Sequence, residues 1–248
     1  MQALKLPPAR GWIWVKEGFA LYRRNPFALA ANLMLMMLLI MLMLAGATAL
    51  VGGDEKSPET MEKVALLAQC ALSLLAPPLL VGLYEVCHRI HEGQMVMPAA
   101  VLGGFSRNIG RLMQLSGLML AYSLAVFALE QLTQSPVVSV VLSMPLLMAN
   151  WFSPLLTGRL GTPPLKSAFF SMIAVYRNLG AVAVFCLSSL VVFVLLPSLA
   201  AGLLTAIAPA FGAAIISVLA LALLPALFSA FYASTRDIFP ALWDAPAD

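Results

Sequence analysis

Charge is scarce in this chain. Asp, Glu, Lys and Arg make up only 10% of its 248 residues, against about 25% in an ordinary soluble domain. Histidine occurs twice and cysteine three times, too few donors for most multi-ligand metal or haem sites. There is no Gly-x-Ser-x-Gly elbow, no His-Glu-x-x-His and no phosphate-binding glycine loop. No Asp falls inside an apolar run, where it could orient a histidine. Hydrolytic and nucleotide chemistry therefore lack their usual residues, and the expectation is a non-enzymatic chain without a cofactor. Cys70 and Cys186 lie within apolar runs and Cys87 near the end of one, so no structural disulfide is expected.

Apolar sequence is what the chain has in abundance. Hydrophobic residues make up 62% and the mean hydropathy is +0.95, too high for a surface that must be covered in polar groups against water. A helix rises about 1.5 Å per residue, so crossing a hydrocarbon core of about 30 Å takes about 20 apolar residues. Six stretches qualify: Phe27–Val51, Val64–His88, Leu112–Leu132, Val137–Thr157, Leu179–Ala206 and Phe211–Ser234. They are continuous and rich in Leu, Ala and Met, whereas barrel strands alternate in segments of about ten residues. The expected fold class is all-α: a single polytopic membrane domain over residues 1–248 with six transmembrane helices. The first run starts late and exceeds the apolar core of about 7–15 residues in a cleavable signal, so it is expected to stay in the mature protein.

Basic residues orient the chain. Lys5, Arg10, Lys16, Arg23 and Arg24 precede the first run. Arg89, Arg107 and Arg111 lie between the second and third, Arg159, Lys166 and Arg177 between the fourth and fifth, and Arg236 after the sixth. Only Lys56 and Lys63 lie on the other side, beside Asp54, Glu55, Glu59 and Glu62. The positive-inside rule then puts both termini in the cytoplasm of a bacterial inner membrane. A basic cytoplasmic face attracts anionic lipids. Nucleic acid is not an expected partner, because these cations sit at span ends and form no single patch or motif. The external side holds an acidic turn, Gly52–Lys63, and short turns near Gln131–Pro136 and Ala208–Phe211, with a solvated tail at Asp244–Asp248.

The chain also resembles itself. Arg24-Asn25, Arg107-Asn108 and Arg177-Asn178 precede the first, third and fifth runs. Each pair closes a segment with apolar residues at helical spacing: Trp12, Val15, Phe19 and Tyr22; Val101, Phe105, Ile109 and Leu112; Leu165, Phe169, Met172 and Tyr176. Such stripes with basic ends suit amphipathic helices in the cytoplasmic interface. The returning runs share proline, leucine and an aromatic at one spacing: Pro78-Leu80-Tyr84, Pro145-Leu147-Trp151 and Pro225-Leu227-Phe231. Three hairpin repeats follow, over 8–95, 96–162 and 163–240, each an interfacial helix, an outgoing span and a returning span. Pro78 and Pro225 stand eleven residues before Arg89 and Arg236, near mid-bilayer. Each of the three prolines frees the carbonyl four residues earlier, on Leu74, Val141 and Leu221, with Ser73, Ser143 and Ser217 as nearby donors. The kinks either line a pathway or let six helices pack.

Polar candidates are few. Glu85, His88, Arg89, His91 and Glu92 cluster at the cytoplasmic end of the second run. At helical spacing Glu85 can meet Arg89, and His88 can meet Glu92. A metal reading would take both histidines with Glu85 or Glu92, but it lacks further donors, so no metal is expected. Asn32, Gln69, Asn150 and Glu130 lie in or near the bilayer and read as interhelical glue or as parts of a pathway.

The segments Met1–Pro7 with Gly11-Trp12, Phe19–Pro26, Pro164–Ser171, Arg177-Asn178 and Phe231–Phe239 resemble an uncharacterised family of bacterial multi-span inner-membrane proteins, mostly β-proteobacterial. The resemblance covers nearly the whole chain. Pro164-Leu-Lys166 and Arg236-Asp-Ile-Phe239 are its more specific parts, and Ser106-Arg107 with Ile109 departs from it. The family has no assigned activity to carry over. More distantly, the six-span plan is similar to the membrane domain fused to some bacterial glycerophosphodiester phosphodiesterases, a likeness of architecture, which does not imply function. The expected role is an envelope scaffold or a subunit for membrane-protein partners. The alternative is a carrier or channel for a small apolar or lipidic substrate.

Overall fold

The computed structural model describes residues 3–51, 57–207 and 209–243. Among these the chain is helical, with no strand. Helices α1 (Arg10–Arg24), α2 (Pro26–Val51) and α3 (Pro58–His91) come first. A 3-10 turn (Ala100–Ser106) leads into α4 (Ile109–Thr133), α5 (Pro136–Leu160) and α6 (Pro164–Arg177). Helix α7 (Leu179–Ser189) passes through a π turn (Leu190–Leu195) into α8 (Leu196–Ile207), and α9 (Pro209–Ile238) is followed by a 3-10 turn at Pro240–Leu242. Residues 52–56 of the acidic turn, residue 208 and the tail 244–248 lie outside the described residues.

Five segments among the described residues are long and apolar enough to cross a membrane: Pro26–Val51, Glu59–His91, Ile109–Thr133, Val140–Leu160 and Leu179–Ala206. The sixth apolar stretch lies in α9, a helix of 30 residues. Leu38, Met41, Leu42, Leu129, Leu132, Leu199 and Leu203 are all exposed on these helices. A band this apolar is untenable against water and matched to lipid tails.

The chain divides into two compact units. The first comprises Met1–Ala31, Tyr84–Met97 and Ala174–Asp248, and in it α1 packs on both α7 and α9. Glycine makes this possible. A β-carbon on Gly11 would overlap the Ala181 carbonyl, and one on Gly18 would overlap Ala230. Close backbone approach of this kind drives association where lipid leaves little hydrophobic force between helices. The buried face of α1 is therefore Gly11, Trp14, Val15, Gly18 and Leu21. Of the expected stripe only Val15 is in it, and Trp12 points outward.

The second unit comprises Asn32–Leu83 and Pro98–Ile173. Helices α4 and α5 form a hairpin through Gln134 and Ser135, with Leu115, Met119, Ala149 and Ala168 in its core. The segment expected to supply a second amphipathic helix is shorter than that. It makes only the 3-10 turn Ala100–Ser106 before Asn108 adopts a left-handed conformation ahead of α4. The cause is steric. Gly104 lies against the Pro78 carbonyl and Gly82 against the Val101 carbonyl, so the turn is pressed onto α3 at two glycines. Buried Asn32 accepts a hydrogen bond from the Val101 amide (2.8 Å), which fixes the start of the turn.

Hydroxyl groups repair the helix backbones. The Leu74 carbonyl, freed by Pro78, accepts from Ser116 of α4 at 3.3 Å. The donor comes from a neighbouring helix, where Ser73 was the sequence expectation. Tyr122 donates to the Leu142 carbonyl (2.8 Å) one turn before Pro145. In α5 the Ser171 hydroxyl accepts from the Phe152 amide (2.9 Å) and donates to the Met148 carbonyl (2.7 Å). Those two groups would bond each other in an undisturbed helix, so Ser171 is inserted into the ladder. The side chain of Ser217 lies outside the described residues. Ahead of Pro197, which has no N–H to donate to Phe193, the helix widens into its π turn, and Phe193 stacks on Phe19 at 5.3 Å.

Ser171→Ala removes a fully buried donor and acceptor at once. It should lower stability by about 1–3 kcal/mol, read as a drop in the thermal midpoint of the detergent-solubilised protein.

Candidate functional site

The densest polar group of the first unit gathers α1, the end of α3 and the end of α9. Asp237 is its centre. Its Oδ2 accepts from Arg10 Nε (2.7 Å), from Arg10 Nη2 and from the Trp14 indole (2.7 Å). Arg236 donates to Glu17 at 2.8 Å, and Arg10 reaches the same carboxylate at 3.5 Å. Two arginines and two carboxylates thus alternate, on residues separated by more than 200 positions. The hydrogen bond to Asp237 raises the Arg10 pKa above its ordinary value. Burial pushes the Glu17 carboxyl up, Asp237 adds to that shift, and Arg236 and Arg10 oppose it.

Both histidines face this group. Arg236 Nη1 lies 2.8 Å from His91 Nε2 and 3.0 Å from Nδ1. A guanidinium only donates, so the nitrogen it bonds is unprotonated. Arg24 donates to the His91 carbonyl at 2.9 Å, closing the end of α3. His88 Nδ1 is 3.1 Å from the Tyr232 hydroxyl, and its ring lies 4.8 Å from that of Trp243. Glu85 is buried, while Arg89 and Glu92 are exposed. The five residues read as one cluster from the sequence therefore divide, with the two imidazoles directed at α9. A half-open cavity of about 120 Å³ lies among Glu17, Arg24, His91, Tyr232 and Arg236.

The three asparagines of the Arg-Asn pairs all bond backbone. Asn25 accepts from the Ala28 amide (3.1 Å) at the start of α2. Asn108 donates to the Gly158 carbonyl (2.9 Å). Asn178 accepts from the Leu6 amide (2.8 Å) and donates to the carbonyls of Leu4 and Ala174 (both 2.9 Å). Their arginines differ more: Arg24 bonds the end of α3, and Arg177 is exposed. Pro78 and Pro145 lie in the second unit and Pro225 in the first, each inside a helix.

Sequence reasoning passed over Glu17, Asp237 and Trp14, and used Arg10 only as a cytoplasmic charge. One signal was available, because Glu17 is the sole acidic residue before Asp54. A lone carboxylate in a basic, apolar segment has a specific cation to meet.

The chain is 28% identical to a probable inner membrane protein of Burkholderia thailandensis, over 96% of this chain and 94% of that relative. No family model and no solved structure matches it. With the membrane-length apolar helices, the likeness supports an integral, multi-pass protein of the inner membrane.

The two carboxylates should respond differently to neutralisation. Asp237→Asn strips Arg10 and Trp14 of a shared charged acceptor and should cost about 1.5–3 kcal/mol, seen in thermal unfolding. Glu17→Gln should cost less, with a pH signature. A raised folded-state pKa gives the parent stability below the ordinary value of 4.5 that is lost as the pH rises through the folded pKa. The midpoint of Glu17→Gln should therefore rise relative to the parent from about pH 4.5 towards neutrality, and a constant difference would refute the assignment.

Proposed function

We propose that the chain is a six-span inner-membrane protein with both termini in the cytoplasm, working without catalysis as an envelope scaffold or partner subunit. Helix α6 carries this reading. Leu165, Phe169 and Tyr176 are 71%, 60% and 70% exposed, and Lys166 and Arg177 share the helix with them. The side of α6 that faces protein is the small one: Ser167, Ala168, Ser171, Ala174 and Val175. An apolar stripe turned outward with cations at both ends suits the headgroup boundary of a membrane or the surface of another membrane protein. Anionic lipids would meet Lys166, Arg177 and the other basic span ends. The polar cluster fits a structural role, since its carboxylates are held by arginines and its imidazoles by Arg236 and Tyr232.

A second reading, a carrier or channel for a small apolar or lipidic substrate, is favoured by a larger cavity of about 480 Å³ in the second unit. Liposomes containing the protein and a panel of labelled lipids decide it, since no movement of any would remove it.

For the leading reading, a fluorescent protein fused after Asp248 should glow and alkaline phosphatase at the same place should stay inactive. The reverse pattern overturns the topology. Mild-detergent extraction at native expression should recover a second polypeptide with the chain, less of it for Phe169→Gln/Tyr176→Gln. A lone monomer counts against the scaffold.

A further inference from the structure

We propose that the 480 Å³ cavity of the second unit, lined by α3, α4 and α5, binds an amphipathic organic cation. The site stands whether the chain is a scaffold or a carrier, because it requires only that this unit fold in the membrane.

The lining is patterned. From α3 come Glu62, Ala65, Leu66 and Gln69, and from α4 come Ser123, Leu124, Val126, Phe127 and Glu130. The α3 set follows the i, i+3, i+4, i+7 spacing of a single helix face, and the α4 set does so apart from Leu124. The two helices run in opposite senses here, so the patterns coincide. Each offers a carboxylate at the outer end, an apolar pair in the middle, and an amide or hydroxyl seven residues, about 10 Å, further in. Ser143 of α5 adds a second hydroxyl, beside Leu146. The volume lies in the range of about 300–1,000 Å³ usual for small-molecule sites.

Electrostatics select the sign of the occupant. Two carboxylates and no Lys or Arg line the cavity among the described residues. Lys63, next to Glu62, is held by Glu59 at 2.7 Å. Glu130 lies in the last turn of α4, where the helix dipole already makes the potential negative and a carboxylate is disfavoured. Glu62 and Glu130 stand at the outer end, Glu62 exposed, while Gln69 and Ser143 lie further in, where a polar group at membrane depth needs a partner. A positively charged head between the glutamates, with an apolar body against Leu66 and Phe127, meets both demands.

The test uses the full chain in phosphatidylcholine nanodiscs and labelled tetraphenylphosphonium, with tetraphenylborate as a competitor of the same shape and opposite charge. Expected is saturable binding of one phosphonium per chain above empty discs, with no competition from the borate. Glu62→Gln/Glu130→Gln should weaken binding about tenfold or more, equivalent to about 1.4 kcal/mol. Ala65→Trp, at an exposed position, should abolish it by filling the cavity, and this variant decides the matter if the double variant does not fold. Binding no greater than to empty discs, equal competition by the borate, or affinity unchanged in the folded variants would each overturn the proposal. Copurifying polypeptides play no part in this readout, so its failure is separable from failure of the scaffold reading.

Discussion

Every backbone amide and carbonyl inside a bilayer needs a partner from the protein, because hydrocarbon offers none. The rest of this structure follows from that constraint. Prolines stand inside α3, α5 and α9, and each removes a ladder bond. Hydroxyls from neighbouring helices reach the backbones of α3 and α5: Ser116 to Leu74, the carbonyl Pro78 frees, Tyr122 to Leu142, and Ser171 to both Phe152 and Met148. Each repair also ties one helix to another. In a chain where apolar side chains gain little by leaving lipid for protein, such ties and close glycine contacts supply much of the specificity.

Packing accordingly inverts the habit of soluble proteins. Helix α6 buries small residues, Ser167, Ala168 and Ser171, and α1 packs at Gly11 and Gly18 beside Trp14. Several larger apolar residues point outward, among them Trp12, Leu165, Phe169 and Tyr176. In the first unit Asp237 and Glu17 hold Arg10 and Arg236, while in the second an exposed pair joins Glu59 and Lys63.

Helix positions were legible because length and hydropathy decide them, and Leu179–Ala206 has the same bounds in sequence and structure. The faces were less so. Periodicity identified an apolar stripe in α6 but not which way it turns, since in a membrane protein apolarity points to lipid as readily as to core. In α1 it favoured Trp12 over Trp14, because glycine registers on a hydropathy scale as nearly neutral while sterically it decides the contact. The second stripe failed at Gly104, which with Gly82 presses the segment onto α3 as a 3-10 turn where an α-helix was expected. In the polar cluster, His88 and His91 were visible as a local pair, but their partners Tyr232 and Arg236 lie about 145 positions away. A single sequence carries no signal for such separations unless, as with Glu17, the residue stands conspicuously alone.

Asn178 joins the first residues of the chain to its last third, holding Leu4 and Leu6, while the Leu4 amide bonds the Ile238 carbonyl at 3.0 Å. Synthesis at about 5–20 residues per second takes roughly 12–50 s to reach Ile238. Over that interval Leu4 and Leu6 wait first for Asn178 and then for Ile238, and the first unit cannot close before α9 has been made. The segment around Leu4 thus settles onto helices that the ribosome delivers long after it.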